Sequence, residues 1–129
     1  MKNNLSPHVQ IYKFPITAIS SITNRITGLI LTGYFVGGGI SCFTDAKLKN
    51  LYYQLNPISK KLVDYSILFP LNYHTLGGIR HYIWDKYPDY LNNKATKKSS
   101  YILFGASIGL TFISERVLDI NSLIDKLDI

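Results

Sequence analysis

Charged residues divide the chain into three uncharged stretches. The first, residues 26–44, lies between Arg25 and Asp45 and contains Leu29-Ile30-Leu31 and Tyr34-Phe35-Val36. Its 19 residues make a helix of roughly 28 Å, long enough to cross the hydrocarbon core of a bilayer. Gly33, Gly37, Gly38 and Gly39 suit a soluble helix poorly, but in a membrane small residues let backbones approach closely, and Gly33/Gly37 has the small-xxx-small spacing. The second stretch, Tyr65 to Ile79, reaches spanning length when extended through Arg80 to Trp84, with Arg80 snorkelling and Trp84 in the interfacial aromatic belt. Pro70 predicts a kink one turn before His74. The third stretch runs from Ser99 to Ser114 and is closed by the pair Glu115-Arg116. None of the three carries the polar stripe of a soluble amphipathic helix. The pattern predicts an all-α chain, one integral membrane anchor domain over residues 1–129, with three transmembrane helices at about 22–44, 63–85 and 99–117. A soluble three-helix bundle with thick apolar faces is the alternative.

Composition supports the membrane. Charged residues are 17% of the chain and hydrophobic residues 47%, whereas ordinary soluble domains carry roughly 25% charge. The net charge of +6 suits an anionic surface, and apolar gaps between the charges favour a lipid surface over nucleic acid. The single cysteine, Cys42, excludes an internal disulfide framework and a Cys-based zinc or iron–sulfur site. With three spans the termini lie on opposite sides. Lys2, Lys13, Arg25, Arg80, Lys86, Lys94, Lys97 and Lys98 share one side; Lys47, Lys49, Lys60, Lys61, Arg116 and Lys126 share the other. This bias predicts an N-terminus on the matrix or cytoplasmic side. The opening Met1-Lys2-Asn3-Asn4 has neither a cleavable apolar signal nor an Arg-rich transit peptide, as expected of a protein made inside an organelle or an AT-rich bacterium. Asp119 to Ile129 reads as a short amphipathic tail.

The candidate chemistry sits in the second span, in Tyr73-His74-Thr75-Leu76-Gly77-Gly78-Ile79-Arg80-His81. A histidine at bilayer depth is costly unless neutral and partnered. A neutral imidazole is a good ligand for haem iron. His74 and His81 are two helical turns apart on one face, and Gly77-Gly78 leaves room for a planar cofactor or a close neighbouring helix. A second cluster, Ser20-Ser21-Ile22-Thr23-Asn24-Arg25, stands at the mouth of the first span. Ser21 and Arg25 are four apart and share a face. A hydroxyl beside a guanidinium suits a carbonyl or carboxylate ligand entering from the membrane, such as a quinone headgroup or haem propionates. Helix capping with a positive-inside anchor explains the same residues.

Two motifs then carry a family resemblance. Ser6-Pro7-His8-Val9-Gln10-Ile11-Tyr12-Lys13, followed by Pro15 through Gly28 with Ser21-Ile22-Thr23-Asn24-Arg25 at its centre, resembles the signature of the succinate dehydrogenase cytochrome b subunits, the larger membrane anchors of respiratory complex II. The second motif is His74, then Gly78-Ile79-Arg80-His81, then Trp84-Asp85. The resemblance implies one half of a heterodimeric helix bundle. It also implies haem b shared with a second small membrane anchor subunit, with His74 as axial iron ligand. Arg25, Arg80 and His81 would then be further haem contacts, Arg80 neutralising a propionate or docking the hydrophilic subunits. Ser21 and Arg25 would form the ubiquinone site, the hydroxyl on a quinone carbonyl and the guanidinium stabilising negative charge as it develops. The implied partners are an iron–sulfur subunit, a flavoprotein subunit and membrane lipid. The implied place is the mitochondrial inner membrane, the protein being organelle-encoded, or a bacterial cytoplasmic membrane. One position departs from the family: where many members carry His before the arginine, this chain has Asn24, which hydrogen-bonds but brings no positive charge. A purely structural anchor or assembly component, without haem or quinone chemistry, is the rival reading.

Overall fold

The computed structural model describes residues 13–43 and 48–118. The residues 6–12 of the first motif, the loop charges Asp45 and Lys47, and the tail from Asp119 lie outside them. Every regular element among the described residues is helical: α1 (Ile16–Phe43), a short α2 (Leu48–Gln54), α3 (Pro57–Lys86), a single 3-10 turn at Pro88–Tyr90, and α4 (Asn93–Leu118). Of these, α1 is long and apolar enough to cross a membrane by length and composition. In α3 and α4 the apolar runs are diluted by Asn72, His74, Arg80 and His81 and by hydroxyl side chains.

Helix starts follow capping chemistry. The Asn56 side chain accepts the Ser59 N–H at 2.7 Å, with Pro57 in the first turn, where its missing N–H costs nothing. Asn92 does the same for Ala95 at 2.8 Å. The helices begin at Ile16, Pro57 and Asn93, each about a turn and a half ahead of the spans expected from uncharged windows. The difference has a simple origin, since polar first turns keep helical geometry where their unsatisfied N–H groups meet caps or water. Pro70 is buried inside α3, which runs through it as one helix.

The long helices alternate in direction, with α3 packed between α1 and α4. Tyr34 Oη meets Ser66 Oγ at 2.5 Å near one end of the α1–α3 pair, and Tyr73 reaches Ser20 further along. On the other flank, Lys61 faces Glu115 (3.7 Å), Tyr65 meets Phe112 edge-on (5.7 Å), and Arg80 Nη1 donates to Ser100 Oγ (3.2 Å). This order gives an up-down-up bundle. At the end holding the α1–α3 loop, the Tyr52 hydroxyl donates to Asp64 Oδ1 at 2.8 Å, and both residues are buried.

The interior is small and polar while the exterior is apolar. Ser20, Thr27, Ser100, Ser107 and Thr111 are buried, whereas Leu29, Phe35, Val36, Ile102, Phe112, Ile113 and Val117 are exposed. In α4 the buried Ser100, Leu103, Ser107 and Thr111 fall three or four residues apart and line one stripe. The stripe hydroxyls donate to their own helix: Ser107 to Leu103 O and Thr111 to Ser107 O, each at 2.7 Å. Backbone carbonyls thus satisfy them without water.

One large side chain ties the three helices together. Tyr73 is 0% exposed. Its hydroxyl donates to Ser20 O (3.2 Å) and lies 3.1 Å from Ser20 Oγ. Its ring lies 5.0 Å from that of Phe104 on α4 and 5.7 Å from that of Phe69. Replacing Tyr73 with Phe strips the hydrogen bonds and leaves buried Ser20 short of a partner, which costs about 1–3 kcal/mol. Thermal unfolding of the purified protein should show a lowered midpoint, and Tyr73→Ala a larger drop, because a core aromatic cavity costs about 3–5 kcal/mol.

Candidate functional site

The centre of the site is a reciprocal contact between α1 and α3. On α1, Asn24 and Gly28 are one turn apart; on α3, His74 and Gly77 are three apart, so each pair shares a helix face. His74 Nδ1 lies 3.0 Å from the backbone oxygen of Asn24. A carbonyl only accepts, so Nδ1 carries the hydrogen and Nε2 keeps its lone pair. The same oxygen accepts the Thr27 hydroxyl at 2.9 Å. Gly28 and Gly77 are where the opposing side chains fit. A Cβ on Gly28 would stand 2.8 Å from His74 Cε1, and one on Gly77 would meet the Asn24 side chain, 2.9 Å from its Cγ. Gly78 opens on space. Of the Gly77-Gly78 pair, the first therefore takes a neighbouring helix and the second stays clear.

The other candidates are dispersed around this contact. Ser21 is half-buried and Arg25 exposed, one turn apart on α1, and Arg25 makes no hydrogen bond or ion pair with the described residues. Arg80 turns away from α1. Its guanidinium lies 4.6 Å above the Trp84 ring, bonds Ser100, and borders a groove of about 280 Å³ walled by Leu76, Ile83, Ile102 and Leu103. Among the described residues, two buried polar side-chain atoms have no hydrogen-bond partner, Arg80 Nε and Asn24 Oδ1. His81 is exposed, its ring edge-on to Trp84 at 5.8 Å.

Sequence reasoning named His74 and Asn24 separately and gave Gly28, Thr27 and Tyr73 no role. The available signal was the matched spacing, a polar residue and a glycine one turn apart on each of two helices.

The first twenty-eight residues and the α3 motif belong to a longer match. The sequence profile of the succinate dehydrogenase/fumarate reductase transmembrane subunits covers residues 1–113. The chain belongs to this family. It is 32% identical over 117 residues to the mitochondrial succinate dehydrogenase cytochrome b560 subunit of Dictyostelium discoideum, covering 84% of this chain and 61% of that one. The human mitochondrial cytochrome b560 subunit is 33% identical over 87 residues, covering 63% and 52%. That of Reclinomonas americana is 31% identical over 126 residues, covering 85% and 82%. The chain thus spans between half and two thirds of the length of the Dictyostelium and human relatives.

The geometry of this family member fits a haem. His74 has its Nδ1 hydrogen committed to a backbone carbonyl, the arrangement that fixes an imidazole for metal binding through Nε2. Arg25, which has no ion-pair partner among the described residues, stands one residue from Asn24. The two glycines should respond differently to a methyl group. Gly77→Ala forces α1 and α3 apart at Asn24 and should lower the thermal midpoint of the assembly. Gly78→Ala should leave it unchanged or raise it slightly, since Ala is favoured over Gly in a helix by about 1 kcal/mol.

Proposed function

We propose that this chain is a membrane-anchor subunit of succinate:ubiquinone oxidoreductase, complex II, crossing the membrane three times and contributing to a haem b site and a ubiquinone-reduction site. Family membership supports the anchor role. The observation that carries the site is the His74 imidazole, tied through Nδ1 to Asn24 O at 3.0 Å in the middle of a helix bundle.

The inverted burial pattern supports three spans. Water would drive Leu29, Phe35, Ile102, Phe112 and Val117 inward, yet they are exposed while serines and threonines are buried. In lipid there is no hydrophobic drive between helices, and small and hydroxyl residues make the close contacts. Self-satisfied hydroxyls on α4 and capped helix ends fit the same solvent, in which every backbone polar group needs an internal partner. The up-down-up order puts Lys13, Lys86, Lys94, Lys97 and Lys98 at one end, which supports an N-terminus on the matrix side of the mitochondrial inner membrane.

In this reading His74 would hold the haem iron through Nε2, together with a ligand from a second small anchor subunit. Arg25 would offset propionate charge, whereas Arg80, held on Trp84 and Ser100, lies on the side of α3 away from the His74 ring, beside exposed His81. When bound, haem b supplies a one-electron store beside the quinone pocket. Ser21 donates its hydroxyl to a quinone carbonyl, orienting the ring, and Arg25 stabilises negative charge that builds on oxygen as electrons arrive from an iron–sulfur subunit. Both act best where water is scarce and the dielectric low. Oxidation of succinate belongs to a flavoprotein subunit, since one cysteine and no flavin fingerprint leave this chain no means of doing it.

A second reading, a structural anchor without haem or quinone chemistry, draws support from one position. The Asn24 amide packs against Gly77, so the residue standing where many family members carry His brings a propionate no positive charge. Spectra of the purified complex separate the readings: a reduced-minus-oxidised b-type band should be present and should vanish in His74→Ala. A wild-type complex lacking that band sinks the haem assignment. For the quinone, Ser21→Ala or Arg25→Leu should lower succinate–quinone turnover about 10- to 100-fold, the range for removing one preorganised donor or charge being roughly 10²–10³ in favourable cases. Succinate oxidation with a soluble artificial acceptor should persist. Equal loss in both assays would indicate failed assembly.

A further inference from the structure

We propose that Gly28 is a positioning residue for the His74 imidazole, holding the ring where its Nδ1–H bonds Asn24 O and thereby setting the basicity of Nε2; its consequence for haem rests on the function proposed above. Among the glycines, Gly33, Gly37, Gly38, Gly39, Gly78, Gly105 and Gly109 would present a Cβ to open space. Gly28 is different. Its Cβ would lie 2.8 Å from Cε1, 3.3 Å from Nδ1 and 3.6 Å from Nε2 of His74. All three neighbours are atoms of one imidazole edge, and none is backbone of α3. What the glycine makes room for is therefore the ring itself, beyond ordinary close packing of two helices.

The slot has two walls one turn apart on α1. Asn24 contributes the carbonyl that takes the Nδ1 hydrogen, and Gly28 contributes the bare Cα against which the ring edge lies. A methyl group at 28 stands too close to Cε1 for the ring to stay, so the imidazole must rotate or lift. Either movement lengthens the 3.0 Å contact to Asn24 O. Donation from Nδ1–H to a carbonyl makes Nε2 a stronger ligand and fixes the ring plane, and losing such an outer contact commonly weakens metal affinity about 10- to 100-fold. A less basic axial nitrogen stabilises ferric iron less, so the reduction potential moves upward.

The test uses the intact purified complex, with Gly33→Ala as the control for adding a methyl to α1. Gly28→Ala should lower haem content at a given detergent exposure, raise the haem midpoint potential and shift the low-spin electron paramagnetic resonance signal. Gly33→Ala should leave all three at wild-type values. A second measurement needs no haem. Gly28→Ala should lower the thermal midpoint when His74 is present but have no effect, or raise the midpoint, in a His74→Ala background, where the methyl takes space the ring has left. An equal drop in both backgrounds means that Gly28 serves helix contact alone and overturns the proposal. Unchanged haem signals in Gly28→Ala overturn it as well. A wild-type complex without a b-type band would refute the haem reading, while the stability comparison would still decide whether Gly28 and His74 are coupled.

Discussion

The hydrogen bond from His74 to the Asn24 carbonyl is the contact around which the α1–α3 interface is organised. A half-buried imidazole between apolar helices is best kept neutral with its N–H satisfied, and a helix backbone carbonyl is a partner already present at that level. Reaching it requires the ring to lie against α1, which requires bare Cα positions where side chains cross. Gly28 and Gly77 provide them, and Asn24 fills the second. Tyr73, next to His74 on α3, turns its hydroxyl to Ser20 and its ring to Phe104, so α4 closes on the same level.

The rest of the bundle applies the same economy. Apart from Asn24 Oδ1 and Arg80 Nε, several polar groups that face inward find partners within the protein: Ser107 and Thr111 on their own carbonyls, Asn72 on Thr111 Oγ1 (3.3 Å) and Ser114 Oγ (3.4 Å), Tyr52 on Asp64. Large aliphatic and aromatic side chains face out. Such an arrangement would be unstable in water, where an exposed apolar surface of this extent promotes association. It is the expected outcome where lipid covers the outside and packing, rather than hydrophobicity, selects the inside.

Arg80 illustrates why neighbours in a motif need not act together. It follows His74 by six residues, a separation that rotates it away from the imidazole on an α-helix. The guanidinium sits on Trp84 and bonds Ser100 on α4, while His74 serves α1. Ser21 and Arg25, by contrast, share the outward side of α1 next to the Asn24 contact. A pocket built from them needs further walls, consistent with a site formed at a junction between subunits.

Much of this was legible before any coordinates. Uncharged windows marked three helices, because charge is the costliest thing to bury. The two motifs marked the family, and depth along the second window singled out His74. The helices begin more than a turn ahead of those windows, because caps and polar first turns carry no hydropathy signal. Sequence alone determined which residues are apolar, which are chemically able, and their order along each helix, since local spacing fixes faces. Only the tertiary structure decided that His74 turns to Asn24, that Gly28 rather than Gly33 lies against the imidazole, and that Tyr73 ties three helices together. Those choices depend on which face of α1 meets α3 and at what level, a relation between segments fifty residues apart that no local pattern encodes.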